Sequence, residues 1–121
     1  MSNRRTVLLV DDDPGTRHML QYGLKKAMGA IEVVVANSGR EAIGLLEHRA
    51  IDVVVTDLAM PVGDAFSLIA YMNNSRSPIP VIALSVLDSE AVAKRLASLW
   101  SLRVVQKPAS YQEVAAAATE A

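Results

Sequence analysis

The chain of 121 residues contains no cysteine, which excludes disulfide bonds, thiol catalysis and cysteine-ligated zinc. It also lacks an apolar run long enough to cross a membrane, and its first residues are too polar for a signal peptide. An excess of positive charge is missing as well. The formal net charge is −1, which argues against a surface that neutralises nucleic-acid phosphates. We therefore expect a cytoplasmic protein with no membrane contact and no direct nucleic-acid partner.

The remaining composition is that of a globular domain, with 51% hydrophobic and 21% charged residues. A chain of this length can bury a substantial core but is too short for two ordinary domains. We expect one domain over residues 1–121. Its alanine-rich end, at residues 114–118, leaves open that it is the N-terminal module of a longer protein.

Five short apolar segments predict strands, because most of them lack period-two alternation and so indicate burial on both faces. These segments are Thr6 to Val10, Ile31 to Ala36, Asp52 to Asp57, Ile79 to Leu84, and Leu102 to Val105. Apolar residues at helical spacing lie between them: Leu20, Leu24 and Ala27; Ala42, Leu45 and Leu46; Val92, Leu96 and Leu99. Strands that alternate with helices predict a parallel sheet with helices on both faces, joined by right-handed crossovers.

Three helix starts are recognisable from capping residues. Asp13 stands before Pro14, which predicts an N-cap followed by proline at the first helical position. Ser38 with Glu41, and residues 110–113, both match the capping-box spacing. These signals fix where three of the predicted helices begin.

Polar side chains follow four of the predicted strands. Asp11 and Asp12 follow the first, Asp57 ends the third, Ser85 follows the fourth, and Lys107 comes two residues after the fifth. The carboxyl ends of parallel strands meet at the edge where α/β proteins place their chemistry. Neighbouring carboxylates need a cation to offset their repulsion, and Mg²⁺ prefers such oxygen ligands. An ammonium and a hydroxyl suit a phosphoryl group carried by an aspartate.

Taken together and in this order, these residues resemble the receiver domain of two-component response regulators over essentially the whole chain. The residues that carry the resemblance are Val10-Asp11-Asp12, Asp57 with Met60-Pro61 and Asp64 after it, Ser85, and Lys107-Pro108. The resemblance implies a flavodoxin-like, doubly wound (βα)5 domain. Its five-stranded parallel sheet would have the order 2-1-3-4-5.

The resemblance also implies a function. Asp57 would accept a phosphoryl group from a phosphohistidine of a sensor histidine kinase or phosphotransfer protein, and the chain would then switch conformation to regulate a partner or output domain. The implied ligands are Asp11 (partly through water), Asp12, Asp57 and the backbone carbonyl of Ala59 for Mg²⁺, and Lys107 and Ser85 for the phosphoryl oxygens. A homodimer is an option by the same analogy.

Several positions depart from the family pattern and concern the output of the domain. Val104 stands three residues before the lysine, where the family usually has a switch aromatic, and the only tryptophan, Trp100, lies where a glycine is common. We expect Trp100 to pack rather than to anchor a partner, and we assign Ser85, Val104 and Trp100 to the switch or output surface. Ala65 replaces the glycine that usually follows Asp64.

Four further residues bear on the expected lifetime of the phosphorylated form and on the roles of the histidines. Ala59 and Leu87, two residues beyond Asp57 and Ser85, offer no side chain to orient an attacking water, so we expect slow self-hydrolysis of the phosphorylated form. The two histidines, His18 and His48, are expected to be solvated, with His48 favourably placed at a helix C-terminus.

The sequence gives less support to other functional interpretations. A haloacid-dehalogenase-like phosphatase needs a second acid two residues after the nucleophile, where Ala59 stands. A nucleotide-binding domain would need a glycine-rich loop after the first strand, whereas residues 11–14 repel phosphate without a metal. The alternative that remains is a receiver-like interaction module that signals without phosphorylation, which the changes at Val104 and Trp100 motivate.

Overall fold

The computed structural model describes residues 4–57, 64–75, 78–85, 102–106 and 111–120. The side chains of residues 64–66, 85, 102–104 and 106 are outside this description. The strands are β1 (Arg5–Val10), β2 (Ile31–Ala36), β3 (Val53–Asp57), β4 (Val81–Ser85) and β5 (Leu102–Gln106). The helices within these ranges are α1 (Pro14–Met28), α2 (Gly39–His48), α3 (Asp64–Asn74) and α4 (Tyr111–Glu120). The helix predicted around Val92, Leu96 and Leu99 falls outside the described residues, as does Ser110 of the second capping box.

The strands form one parallel sheet in the order β2-β1-β3-β4-β5, as predicted. Alternate residues of β1 enter two different cores. Leu8 and Val10 pack with residues of α2 and α3, whereas Val7 and Leu9 pack with residues of α1 and α4. Helices therefore cover both faces of the sheet, and this double burial explains why the central strands consist mainly of apolar residues. The exception is β2, an edge strand in which Glu32 is exposed.

Three strand starts differ from the prediction. The strand β1 begins one residue early, at Arg5 rather than at Thr6. The strand β3 begins one residue late, because the Asp52 carboxylate accepts a hydrogen bond from the Thr6 amide at 2.6 Å instead of pointing into the core. The strand β4 begins at Val81 rather than at Ile79. Pro80 separates the two and has no N–H to donate to the ladder.

The first two helices begin at the predicted caps. The Asp13 carboxylate accepts hydrogen bonds from the Thr16 amide at 3.1 Å and from the Thr16 hydroxyl at 2.5 Å. The Ser38 hydroxyl accepts from the Glu41 amide at 3.1 Å. The return bond of this capping box is shifted by one residue, since the Glu41 carboxylate accepts from the Asn37 amide at 3.2 Å.

The buried stripe of α1 follows the predicted spacing except at its end. Leu20 and Leu24 are buried, but Ala27 is exposed, so its predicted place in the stripe is wrong. The stripe continues by steps of four residues through Leu24 to Met28, which packs against the core. Gly23, which the apolar spacing did not predict as part of the stripe, is also buried, between Leu20 and Leu24.

The C-terminal helix α4 lies close to α1 because the residues between them are small. Gly23 faces the ring of Tyr111, and a Cβ at Gly23 would overlap Cγ of Tyr111 and lie 2.6 Å from its Cδ1. Val114 and three alanines of α4 are buried against the same core as α1. The alanine-rich sequence thus serves a close helix approach.

Candidate functional site

The register of the sheet brings the predicted acidic residues together. The strands β1 and β3 pair with Val10 opposite Thr56, so the next residues along each strand, Asp11 and Asp57, emerge side by side. One carboxylate oxygen from each of Asp11, Asp12 and Asp57 lies within 4.8 Å of the others. We call these three residues the acidic cluster. Asp11 and Asp57 are 1% and 6% exposed, whereas Asp12 is exposed to solvent.

The loop from β1 to α1 is held by hydrogen bonds at each end of Asp11. Its amide donates to the carbonyl of Ala36 at 3.1 Å, which extends the ladder to β2 by one residue. Its Oδ1 accepts from the Asp13 amide at 2.9 Å. Its carbonyl accepts from Nη1 of Arg17 at 3.1 Å. Asp12 therefore projects from a loop whose neighbouring groups are fixed.

The donor set of the acidic cluster fits a hard divalent cation. All three groups offer carboxylate oxygens, which Mg²⁺ prefers, and a site with one or two direct carboxylates leaves positions for water and phosphate. Two of the three carboxylates are buried, and a bound cation would offset the repulsion between these like charges. These residues therefore suit a site for a divalent cation, with two of its carboxylates buried.

Asp13 has a separate, structural role. Its carboxylate is exposed and caps α1, and the hydrogen bonds from the side chain and backbone of Thr16 hold the pKa of Asp13 below its usual value. A carboxylate that accepts such bonds is stabilised in its charged form. The three consecutive aspartates thus divide into two members of the cluster and one helix cap, as the sequence predicted.

The other predicted site residues are described only in part. Ala59, Leu87, Trp100 and Lys107 lie outside the described residues, as do the side chains of Ser85 and Val104. The backbone of Ser85 pairs with Gln106 in the ladder from β4 to β5. Lys107 follows Gln106 directly in the sequence.

Sequence reasoning missed Arg17 as a neighbour of the site. It lies in the first turns of α1, six residues after Asp11, and contacts the loop through a guanidinium bond to a backbone carbonyl. The signal available was an arginine one turn into a helix that follows an acidic loop. The two histidines are exposed as predicted, and Nδ1 of His48 lies 2.8 Å from the carbonyl of Gly44 in the last turn of α2.

Comparison with known proteins agrees with this arrangement. The family model of the response regulator receiver domain matches residues 7–119. The transcriptional regulatory protein GlrR of Escherichia coli is 36% identical over 112 residues, which cover 89% of this chain and 25% of that protein. The receiver domain of the Francisella response regulator 1452 is 30% identical with a TM-score of 0.80, over 97% of this chain and 95% of the other. The chemotaxis protein CheY4 of Vibrio cholerae is 25% identical with a TM-score of 0.84, over 97% and 98% of the two chains.

The chain belongs to the response regulator receiver domain family, whose members are phosphoacceptor signalling domains of two-component systems. It spans about a quarter of the length of its Escherichia coli relative. Among the residues that the structure describes, none of the helices has both the length and the hydropathy required to cross a bilayer.

Proposed function

We propose that Asp57 is the phosphoacceptor of this receiver domain. The observation that carries the proposal is the acidic cluster: a buried aspartate at the carboxyl end of the central strand β3, with two further carboxylates within 4.8 Å of it. A buried carboxylate beside a cation site is poised to attack an electrophilic phosphorus. The phosphoryl donor is a phosphohistidine on a sensor histidine kinase or phosphotransfer protein.

The step is an in-line displacement at phosphorus. An Oδ atom of Asp57 forms the new P–O bond while the P–N bond to the donor imidazole breaks, and the imidazole nitrogen regains a proton. The product is an acyl phosphate on Asp57 and a neutral histidine. The role proposed for Lys107 and Ser85 is to stabilise the phosphoryl oxygens through an ammonium and a hydroxyl.

The residues proposed to hold Mg²⁺ are Asp12, Asp57 and the backbone carbonyl of Ala59, with Asp11 acting partly through water. Bound Mg²⁺ would offset the charge of the cluster and of the transferred phosphoryl group. The carboxylates of the acidic cluster would orient the cation next to Asp57, with Asp11 and Asp57 buried and Asp12 on the side exposed to solvent.

The response to phosphorylation is proposed to run through the ends of β4 and β5. A phosphoryl group adds negative charge and acceptor oxygens at Asp57, which would draw Ser85 towards it and shift the populations of two conformations. Val104 and Trp100 would form part of the surface that changes. The output partner, or an output domain in a longer regulator that carries residues 1–121 as its receiver, would read this change in the cytoplasm.

The phosphorylated state is proposed to be long-lived. Ala59 and Leu87 provide no polar side chain to orient a water for attack on the acyl phosphate, so the domain assists its own dephosphorylation only weakly. The decay of the phosphorylated protein, followed after the donor is removed, is expected to take far longer than seconds. A half-life of only seconds would contradict this part of the proposal.

Phosphotransfer from a P–N donor tests the assignment of Asp57. The protein is incubated with phosphoramidate, with Mg²⁺ or with EDTA, and phosphorylated species are separated on a phosphate-affinity gel. We expect a shifted band that requires Mg²⁺, is lost in Asp57→Asn and persists in Asp13→Asn. The second variant is the matched control, because it removes a carboxylate outside the cluster and asparagine is also a good N-cap. A band that remains in Asp57→Asn would refute the assignment.

A further inference from the structure

Arg17 donates a hydrogen bond to the loop that precedes α1, and this bond is not needed to form the helix. Its guanidinium reaches back from α1 to the carbonyl of Asp11, with Nη1 at 3.1 Å from that oxygen in a partly buried setting. A solvated arginine on a helix surface would not order its long side chain against a backbone carbonyl without some gain. Arg17 is half-buried.

The carbonyl of Asp11 belongs to the peptide group that leads into Asp12. Because a peptide group is planar, a hydrogen bond to this oxygen also restrains the amide and the Cα of Asp12. The side chain of Asp12 is exposed, so its direction depends on how firmly the loop backbone is held. The loop is also restrained by the bond from the Asp13 amide to Oδ1 of Asp11, at 2.9 Å, and by the bond from the Asp11 amide to the Ala36 carbonyl, at 3.1 Å.

Two effects of Arg17 on a bound cation oppose each other. Its positive charge near the acidic cluster repels Mg²⁺, whereas its hydrogen bond to the loop holds the carboxylates in place for binding. The repulsion is weakened because the guanidinium is half-exposed and solvent and salt screen it. Partners that hold metal ligands in place typically change metal affinity by about 10–100-fold when they are removed. Arg17 is bonded to the backbone of one of these ligands, and we expect its positioning effect to be the larger of the two.

We propose that Arg17 is a positioning residue for the cation site, acting through the carbonyl of Asp11 to hold Asp11 and Asp12 in their binding arrangement. The inference rests on the proposed function of the acidic cluster as a Mg²⁺ site. It goes beyond that function because it assigns a role to an arginine that is proposed to contact neither the phosphoryl group nor the metal.

Mg²⁺ affinity of the unphosphorylated protein is the first test. The amide signals of residues 11–13 are followed by NMR as MgCl₂ is added to the wild type, Arg17→Met and Arg17→Lys. Methionine keeps an unbranched stem but removes the charge and the donors, and lysine keeps the charge but not the guanidinium fork. We expect Mg²⁺ binding about tenfold weaker in Arg17→Met, and weaker than wild type in Arg17→Lys.

The opposite sign would overturn the proposal. If the charge of Arg17 dominates, Arg17→Met binds Mg²⁺ more tightly than wild type and Arg17→Lys binds it equally well. Unchanged affinity in both variants would also refute the positioning role while leaving the Mg²⁺ site intact. Should the wild type itself fail to bind Mg²⁺, the proposed function of the cluster falls instead.

Hydrogen exchange in metal-free protein is the second test, since it reports on the loop without any ligand. The Asp13 amide, bonded to Oδ1 of Asp11, is expected to exchange faster in Arg17→Met than in wild type. The Val54 amide, in the buried strand β3 and bonded to the carbonyl of Pro80 at 3.0 Å, is the control for global unfolding and is expected to be unchanged. If the Asp13 amide exchanges at the same rate in the two proteins, Arg17 does not act by holding the loop, and the proposal is contradicted.

Discussion

Substitution of Gly23 by alanine tests the close approach of α1 and α4. Gly23 is buried in the middle of α1 against the ring of Tyr111 at the start of α4. A Cβ at this position would overlap Cγ and lie 2.5 Å from Cβ of Tyr111. These atoms are at the near end of the side chain, so a rotamer change of Tyr111 alone does not relieve the overlap and α4 must shift.

The size of the effect follows from two opposing terms. Alanine in place of glycine in a helix interior stabilises by about 1 kcal/mol. Overpacking a filled site costs about 1–3 kcal/mol, and the upper half applies here because a helix has to move. We therefore expect Gly23→Ala to lower the free energy of unfolding by about 1–2 kcal/mol, which for a chain of this length corresponds to a Tm lower by about 4–8 °C.

The matched control is Gly44→Ala. Gly44 lies inside α2, and a Cβ there would meet nothing within 4 Å. The same substitution is thus expected to stabilise the protein by up to about 1 kcal/mol. Chemical denaturation of both variants and the wild type, monitored by circular dichroism, measures the difference.

The double variant isolates the contact with Tyr111. In a Tyr111→Ala background the contacts with Cγ and Cδ1 are gone and only the one with Cβ is left, so Gly23→Ala is expected to cost less than in the wild type, with a coupling energy of about 0.5–3 kcal/mol. If Gly23→Ala stabilises the wild-type background as much as Gly44→Ala does, the packing argument is refuted. A loss that persists unchanged in the Tyr111→Ala background would refute it equally.

Three further predictions concern caps and surface charge. Ser38→Ala removes the N-cap of α2 and is expected to cost about 1 kcal/mol in urea unfolding, with Ser38→Asp close to wild type. Thr16→Val removes the hydroxyl that most lowers the pKa of Asp13, so an NMR titration of this carboxyl is expected to give a higher pKa. Because the folded pKa is depressed, the stability that this carboxylate contributes is present above its unfolded pKa and is lost as the pH falls through the folded pKa. The variant is therefore expected to lose less stability on acidification than the wild type. Arg49→Ala breaks an ion pair with Glu32 whose side chains are 41% and 46% exposed, and a loss above about 1 kcal/mol would contradict its classification as a surface pair.

The sheet and the acidic cluster were predictable because the relevant signals are local. A run of buried residues that ends in a carboxylate specifies both a strand and the edge at which its side chain emerges, and parallel pairing then aligns Asp11 with Asp57. Helix starts were predictable for the same reason, since an N-cap bonds only to the next turn.

Features that depend on contacts between distant segments were not predictable from one sequence. The role of Gly23 depends on its contact with Tyr111, in the last helix of the chain, and the spacing of apolar residues gives no sign of this contact. Ala27 fits a helical stripe by sequence, but the stripe follows Met28 instead. The contact of Arg17 spans only six residues, and it was missed because a long, flexible arginine side chain can reach many different partners.

The intact mass of the protein after incubation with acetyl phosphate tests the central claim most directly. The measurement is made with Mg²⁺ and with EDTA, on the wild type and on Asp57→Asn. The account predicts one added phosphoryl group that requires Mg²⁺, is absent from the variant, and maps to the tryptic peptide of residues 50–76. No added mass on a folded wild-type protein, repeated with a purified histidine-kinase donor, would contradict the account and favour a receiver-like module that signals without phosphorylation.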